Sequence, residues 1–179
     1  MKIVILGAPG SGKGTQAKLL SKDLKLKHVI TSDLIKEEIK KKTPKGKLLG
    51  LYMYNGKLIP DNLVDQIIKS SLPKNNFILD GYPRTIEQAE FLEKLNKPDK
   101  VIFLEVSDNI LKERILKRSK IENRVDDTID IIKIRLEVYK KETKPLLDYY
   151  KNKILKISGN NQPETINKEI IKRLRHPKS

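Results

Sequence analysis

No cysteine occurs in the 179 residues. That excludes disulfides, thiolate nucleophiles and cysteine-ligated zinc together, and it fits a reducing, intracellular setting, so a cytoplasmic protein is expected. Long apolar runs are also missing. The run Ile3-Val4-Ile5-Leu6 is shorter than the core of a signal peptide, and nothing approaches the roughly 18 apolar residues of a membrane span. It reads instead as a buried strand. Acidic residues are in deficit, 23 against 38 Lys and Arg, for a formal charge of +15. Such a charge attracts polyanions, which brings RNA and membrane surfaces into consideration. The lysines, however, are scattered through every segment, as at 36–47 and 94–100, in the manner of a solvated surface, and an acidic phosphate ligand accounts for part of the excess. No internal repeat is present. At this length, with 37% hydrophobic and 34% charged residues, one soluble globular domain is expected.

Short apolar runs at 2–6, 27–30, 76–80, 100–106 and 153–157 alternate with stretches of helical spacing, such as Leu63, Ile67 and Ile68, or Ile110, Leu111, Ile115 and Leu116. Strands alternating with helices predict a doubly wound α/β fold with a five-stranded parallel sheet. Helix starts are expected at Asp61, Thr85, Asp108, at Asp126 or Asp127 before the longest helix, and at Pro163. The stretch 31–59 carries two helical segments and no strand, and so reads as a helical insertion where a second substrate is gripped. The tail 176–179 is expected to fray.

Gly7-Ala8-Pro9-Gly10-Ser11-Gly12-Lys13-Gly14-Thr15 follows the first strand and precedes the helix carrying Leu19 and Leu20. Strand, glycine-rich turn, lysine and helix are the order of a P-loop. The glycines let backbone N–H groups converge on phosphate oxygens at a helix N-terminus, and Lys13 adds a mobile positive charge. Gly14 stands where a hydroxyl residue with an ordinary magnesium role is usual, and the hydroxyl comes one place later at Thr15. ATP or GTP binding is indicated. The loop alone fits a GTPase, an ATPase or a small-molecule kinase, and the acceptor side must decide. Asp80-Gly81-Tyr82-Pro83-Arg84-Thr85 leaves the C-terminal end of the third strand, where ligands of α/β sheets collect. Asp80 there can reach magnesium directly or through water, and Arg84 can fork onto a phosphate.

From Lys2 to about Leu174 the chain resembles the adenylate kinase family. The resemblance is carried by the phosphate loop in its Gly-Lys-Gly-Thr form, Thr31-Ser32-Asp33-Leu34, Gly56-Lys57-Leu58-Ile59-Pro60, Asp80 to Thr85 with Gln88, Arg114 with Arg118, and Arg124-Val125-Asp126-Asp127 followed by Arg135-Leu136. It implies a P-loop NTPase-type core at 1–30, 60–118 and 128–179, an AMP-binding insertion at 31–59 and a short lid at 119–127. It also implies magnesium-dependent transfer between ATP and AMP, giving two ADP, by a monomer without zinc, membrane or nucleic acid. ATP would lie on Gly10, Ser11, Gly12, Lys13, Gly14 and Thr15, with Arg114 and Arg118. AMP would be held by Thr31, Lys36, Lys57, Ile59, Gly81, Arg84, Gln88, Arg124 and Arg135. Lys13, Arg84, Arg118, Arg124 and Arg135 would carry catalysis, and Asp80, through water, with Thr15 beside it, would hold the metal.

Several of these positions have plainer readings. Gln88 can read adenine, or bond back to the Thr85 backbone as the second half of a capping box. Arg114 and Arg118 can form surface pairs with Glu113 or Glu122, Asp126 and Asp127 can simply cap a helix, and His28 and His176 read as structural or surface residues. Ser32 replaces a usual glycine, and Lys36 keeps the charge of a usual arginine but loses its fork. The lid has Ser119 and Asn123 in place of glycines. Thr31 and Gln88 favour AMP over UMP or CMP. A UMP/CMP kinase and a P-loop RNA-binding or assembly factor remain as alternatives.

Overall fold

The computed structural model describes the backbone of residues 1–121 and 129–175, with side chains except those of residues 116, 118–121 and 129. Five strands form one wholly parallel sheet: β1 (Lys2–Gly7), β2 (Lys27–Ile30), β3 (Phe77–Asp80), β4 (Lys100–Glu105) and β5 (Ile154–Ser158), in the order β2-β3-β1-β4-β5. Register is set side by side across the sheet, with Ile5 opposite Asp80, Ile30 opposite Asp80 and Gly7 opposite Leu104. These registers bring the ends of β1, β2 and β3 together at one edge.

Successive strand residues point to opposite faces, and both faces are apolar. Val4, Leu6, Phe77, Leu79, Val101 and Phe103 face one side and join Val64, Ile67 and Ile68 of α4 (Asp61–Ser71) and Ala89 and Leu92 of α5 (Ile86–Asn96). Ile3, Ile5, Ile78, Ile102 and Leu104 face the other and join Ala17 and Leu20 of α1 (Lys13–Asp23) and Ile166 and Ile170 of α9 (Pro163–Arg175). Most of these side chains are wholly buried. At about 1.5–3 kcal/mol for each large one, the two layers supply the main force of folding.

Between β2 and α4 stand α2 (Thr31–Lys40) and α3 (Pro44–Tyr54), packed on each other. Thr43 caps α3 by accepting from the Gly46 N–H at 3.0 Å, and Pro44 occupies the first helical position, where its missing N–H costs nothing. Gly46 is a contact residue: a Cβ there would stand 2.5 Å from the Glu38 carbonyl oxygen, so the two helix backbones touch only because it has none.

The boundaries depart from the sequence reading in identifiable ways. Asn76 takes a left-handed φ of 56° as a turn residue, so β3 begins at Phe77. β4 stops at Glu105, short of Val106, and β5 is shifted one residue onward. The cap of α4 is Pro60, not Asp61, which is the first helical residue. Asp108 likewise opens α6 (Asp108–Ile121), while the Ser107 carbonyl accepts the first ladder bond from Leu111 at 3.0 Å. The helix expected to start at Asp126 or Asp127 and to be the longest has its start outside the described residues; α7 (Ile129–Val138) is its described part, and it widens into a π-helical turn at Tyr139–Thr143 before α8 (Leu146–Tyr149). Helix α6 also covers 119–121, the first residues of the expected lid. Residues 122–128, with Arg124, Asp126 and Asp127, lie outside the described residues, as do 176–179. Thr85 and Pro163 start their helices as expected.

Candidate active site

A cleft of about 710 Å³ opens at the C-terminal ends of β1, β2 and β3, walled by the glycine-rich loop, α2, the turn after α3 and the segment after β3. Its floor is built first by the loop. Gly10 and Gly12 take φ of 81° and 90°, left-handed angles that side-chained residues rarely adopt, and Gly12 caps α1. The N-terminus of α1 thus begins at Lys13, where the helix dipole and free N–H groups favour anions. Lys13 Nζ donates to the carbonyls of Gly7 at 2.7 Å and Ala8 at 2.9 Å, folding the charge over the loop. Gly10, Gly12, Lys13, Gly14 and Thr15 all line the cleft. Ser11 does not: it is 1% exposed, its N–H donates to Ala8 at 3.0 Å, and its side chain packs at the base of the loop under Gly7.

Arg114, from the second turn of α6, reaches over the loop, its Nη1 4.0 Å from where a Gly12 Cβ would be. Glu113 pairs with Lys117 at 3.8 Å, an exposed contact of little energetic weight. Arg118 follows Arg114 on α6, and its side chain is outside the described set.

Asp80 ends β3 and lines the cleft, with Oδ2 3.4 Å from the position a Gly14 Cβ would take. His28 Nε2 lies 3.4 Å from the same oxygen. Nothing in the sequence singled His28 out as more than a structural or surface residue, yet it lines the cleft beside Asp80; only the register of β2 against β3 brings the two together.

On the far wall Arg84 and Arg135 share the cleft with Lys36, Lys57, Ile59 and Gly81. Arg84 Nε donates to the Gly81 carbonyl at 2.9 Å, and the Arg84 carbonyl accepts from Thr143 Oγ1 at 2.9 Å, tying the segment to the π-helical turn. Its side chain is water-accessible within the cleft, while crowding by the walls lowers its pKa, the Arg135 charge lowers it further, and Asp80 opposes both. Two like charges held together in this way form a site that an anion relieves. Tyr139 also lines the cleft; burial, with Glu105 nearby, pushes its pKa up to about 12, so it stays a neutral phenol.

Thr31 opens α2 at the end of β2; it is 2% exposed, and its Oγ1 has no hydrogen-bond partner. Gln88, which lines the same cleft, is also 2% exposed. Thr85 Oγ1 accepts from the Gln88 N–H at 3.2 Å, the expected first half of the capping box. The second half is displaced: Gln88 Oε1 accepts from the Arg84 N–H at 2.8 Å instead of that of Thr85, and Nε2 donates to Asp61 Oδ1 at 2.7 Å. Asp61, read from sequence as a cap, therefore supports this wall through Gln88 without lining the cleft itself, and no local pattern marks a partnership across 27 positions.

No group of three or more His, Cys, Asp or Glu able to hold a metal ion occurs among the described residues. Among the same residues no helix is long and apolar enough to cross a membrane.

Comparison with known proteins agrees with this geometry. The family model described as adenylate kinase matches residues 5–155. The chain is 42% identical over 180 residues to the adenylate kinase of Corynebacterium urealyticum, covering 96% of this chain and 97% of that protein. It is 38% identical over 183 residues to the adenylate kinase of Nocardia farcinica, covering 97% and 99%. It is also 39% identical to that of Caldicellulosiruptor saccharolyticus, over 212 aligned positions that cover 97% and 99%, so the latter carries residues with no counterpart here. A P-loop on a five-stranded parallel sheet, a pair of cleft arginines and a match over nearly the whole length lead to one assignment: the chain belongs to the adenylate kinase family.

Proposed function

We propose that the two walls of the cleft divide the family's reaction, ATP + AMP = 2 ADP, with ATP on the phosphate loop and AMP against the α2–α3 wall. The observation that carries this reading is that Arg84 and Arg135, near enough for one charge to act on the other, line the same cleft as Lys13. A mononucleotide phosphate between the arginines would stand as acceptor opposite the terminal phosphate of the donor. Such transfer spreads negative charge over equatorial oxygens, so the protein's task is positioning and electrostatic stabilisation. The acceptor phosphate is already an anion and needs no general base, and the neutral Tyr139 phenol supplies none.

In this reading Gly10 to Thr15 cradle the donor phosphates, Lys13 follows the transferred charge, and Arg114 packs against the donor base. Ser11 contributes from the loop's base. Thr31, Lys36, Lys57, Ile59, Gly81 and Gln88 surround AMP, and residues 31–59 act as the acceptor-binding unit. Arg118 and Arg124, with the lid at 119–127, are assigned from the sequence alone. Asp80 fits magnesium: a single carboxylate next to a phosphate loop suits an ion that takes most of its ligands from phosphates and water. Bound there with Thr15 nearby, the ion would neutralise developing phosphate charge. A monomeric, cytoplasmic enzyme is the setting proposed.

The test is a coupled assay for ADP with magnesium and ATP, offering AMP, CMP, UMP and GMP in parallel. Strong activity with AMP alone is expected. Activity with CMP or UMP in its place would move the acceptor to a pyrimidine, and silence with all four would overturn the kinase reading in favour of a nucleotide-switched binding protein.

A further inference from the structure

The Gln88 side chain is held at both ends. Its Oε1 accepts from the Arg84 N–H at 2.8 Å, and its Nε2 donates to Asp61 Oδ1 at 2.7 Å. The carboxylate is itself fixed, since Asp61 Oδ2 accepts from Thr85 Oγ1 at 2.7 Å. Around it Tyr82 Oη, wholly buried, donates to Asp65 Oδ1 at 2.5 Å and approaches the Gln88 carbonyl at 3.2 Å, clamping the first turn of α5 to α4.

Each partner of the amide has a single polarity. A peptide N–H only donates and a carboxylate only accepts, so the amide orientation follows from chemistry and not from convention. Turning the amide over would set N–H against N–H and oxygen against carboxylate, both in a buried place where such pairings are most unfavourable. After these two bonds one N–H remains on Nε2 and one lone pair on Oε1, in a fixed order, on a residue that lines the cleft.

That order matters for a purine. The Watson–Crick edge of a 6-aminopurine sets an amino donor beside the N1 acceptor; a 6-oxopurine sets an oxygen acceptor beside the N1–H donor. A freely turning amide satisfies either edge. A locked amide satisfies one.

We propose that Asp61 is a specificity-determining positioning residue: by locking the Gln88 amide it makes the acceptor pocket selective for a 6-aminopurine monophosphate over the 6-oxo analogue. The inference rests on the reading of Gln88 as the residue that faces the acceptor base. Asp61 touches no substrate; it acts through Gln88. The sequence separation of 27 residues explains why the pairing emerges only from packing α4 against the segment after β3.

The test compares kcat/KM for AMP and IMP, which differ in the 6-substituent, in the wild type, Asp61→Asn, Asp61→Ala and Gln88→Leu. The Asp61→Asn side chain offers either a donor or an acceptor to the amide, and the Asp61→Ala methyl offers neither, so in both variants one of the two constraints is lost and only the Arg84 N–H is left to oppose turning. The AMP/IMP ratio should fall at least about tenfold in both, mainly through a lower KM for IMP, and a tenfold change corresponds to about 1.4 kcal/mol of discrimination. A merely structural role would lower both substrates together and leave the ratio intact, and the ratio within one variant does not depend on the fraction folded. An unchanged ratio in the Asp61 variants, with discrimination lost in Gln88→Leu, overturns the role of Asp61 and leaves Gln88 as reader. An unchanged ratio in all three removes Gln88 as reader, and the proposal with it. In the wild type, the Gln88 amide protons should exchange with water more slowly than those of exposed Gln162 by NMR; equal rates would show that the lock does not exist.

Discussion

Replacing Arg84 by Met should separate substrate binding from folding. Arg84 reaches an acceptor phosphate, in the present reading, with a forked pair of charge-assisted hydrogen bonds. At about 1.5–3 kcal/mol each, losing both amounts to about 3–6 kcal/mol, or about 10² to 10⁴ in kcat/KM for AMP. Arg135 remains on the same wall and keeps part of the charge, which places the expectation at the lower end, about 10²- to 10³-fold. KM for ATP should stay within about threefold, because Arg114 stands by Gly12 of the loop while Arg84 stands by Gly81.

The same substitution should not harm the unliganded fold. The bond from Thr143 goes to the Arg84 main-chain carbonyl and survives, and the lost bond from Nε to Gly81 is an exposed one. Against that loss, the repulsion between Arg84 and Arg135 disappears. Thermal unfolding of the unliganded protein should therefore be unchanged or shifted upward by a few degrees, since about 1 kcal/mol moves a chain of this size by about 2–4 °C. Arg84→Lys, which keeps the charge without the fork, should fall between wild type and Met in kcat/KM for AMP. A coupled ADP assay with each substrate varied in turn, beside a thermal scan, reads all of this. An equal loss for ATP and AMP, or a melting point lowered by more than about 5 °C, would refute the reasoning and make Arg84 a structural residue.

Lys13→Met should lower turnover by about 10²-fold or more, as for loss of one preorganised charge at a transferring group, and near-normal turnover in the same assay would remove Lys13 from the chemistry. Thr31→Val keeps the shape but deletes a buried hydroxyl that has no protein partner, so the unliganded protein should melt at the same temperature or higher while KM for AMP rises several-fold; a lower melting point would mean that the hydroxyl serves the fold. Burial raises the Asp65 pKa above the ordinary carboxylate range, against the bond from Tyr82 and with help from Asp61. Folding thus favours the protonated acid, and its contribution is full below the unfolded pKa and is lost as pH rises through the folded one. Urea unfolding of wild type and Asp65→Asn from about pH 3 to about pH 7 should show the Asn variant gaining relative stability as pH rises; a difference that does not vary with pH would contradict this.

The parts of the molecule open to sequence reading are those whose physics is local. Apolar runs gave all five strands to within a residue or so because a sheet buried on both faces admits little else at those positions, as Ile3 to Leu6 and Val101 to Leu104 show. The loop from Gly7 to Thr15 was readable for the same reason, since the glycine angles and the helix start lie within nine consecutive residues. Where one residue sufficed to change the answer, the reading slipped: Pro60 took the cap from Asp61, and Asn76 turned left-handed before β3. The pairing of His28 with Asp80, and of Asp61 with Gln88 and Thr85, spans 24 to 52 positions and leaves no periodic trace.

The same division bears on where binding energy is held. Polar groups buried with no partner cost about 1–3 kcal/mol each, and a folded protein keeps few of them. Among the described residues, Ser11 Oγ, at the base of the phosphate loop, and Thr31 Oγ1, on the α2 wall, are two such atoms, and His28 Nε2 has only its 3.4 Å approach to Asp80. Gln88, buried to the same degree as Thr31, is by contrast held at both ends of its amide, with one N–H and one lone pair left in a fixed order. The two arrangements do different work. An unpartnered hydroxyl adapts to whatever reaches it and contributes affinity without much choice, whereas an amide pinned by Asp61 and the Arg84 N–H rejects what does not match it. Affinity and selectivity for the acceptor are thus expected to be separable by mutation, with Thr31→Val lowering the first and Asp61→Asn the second.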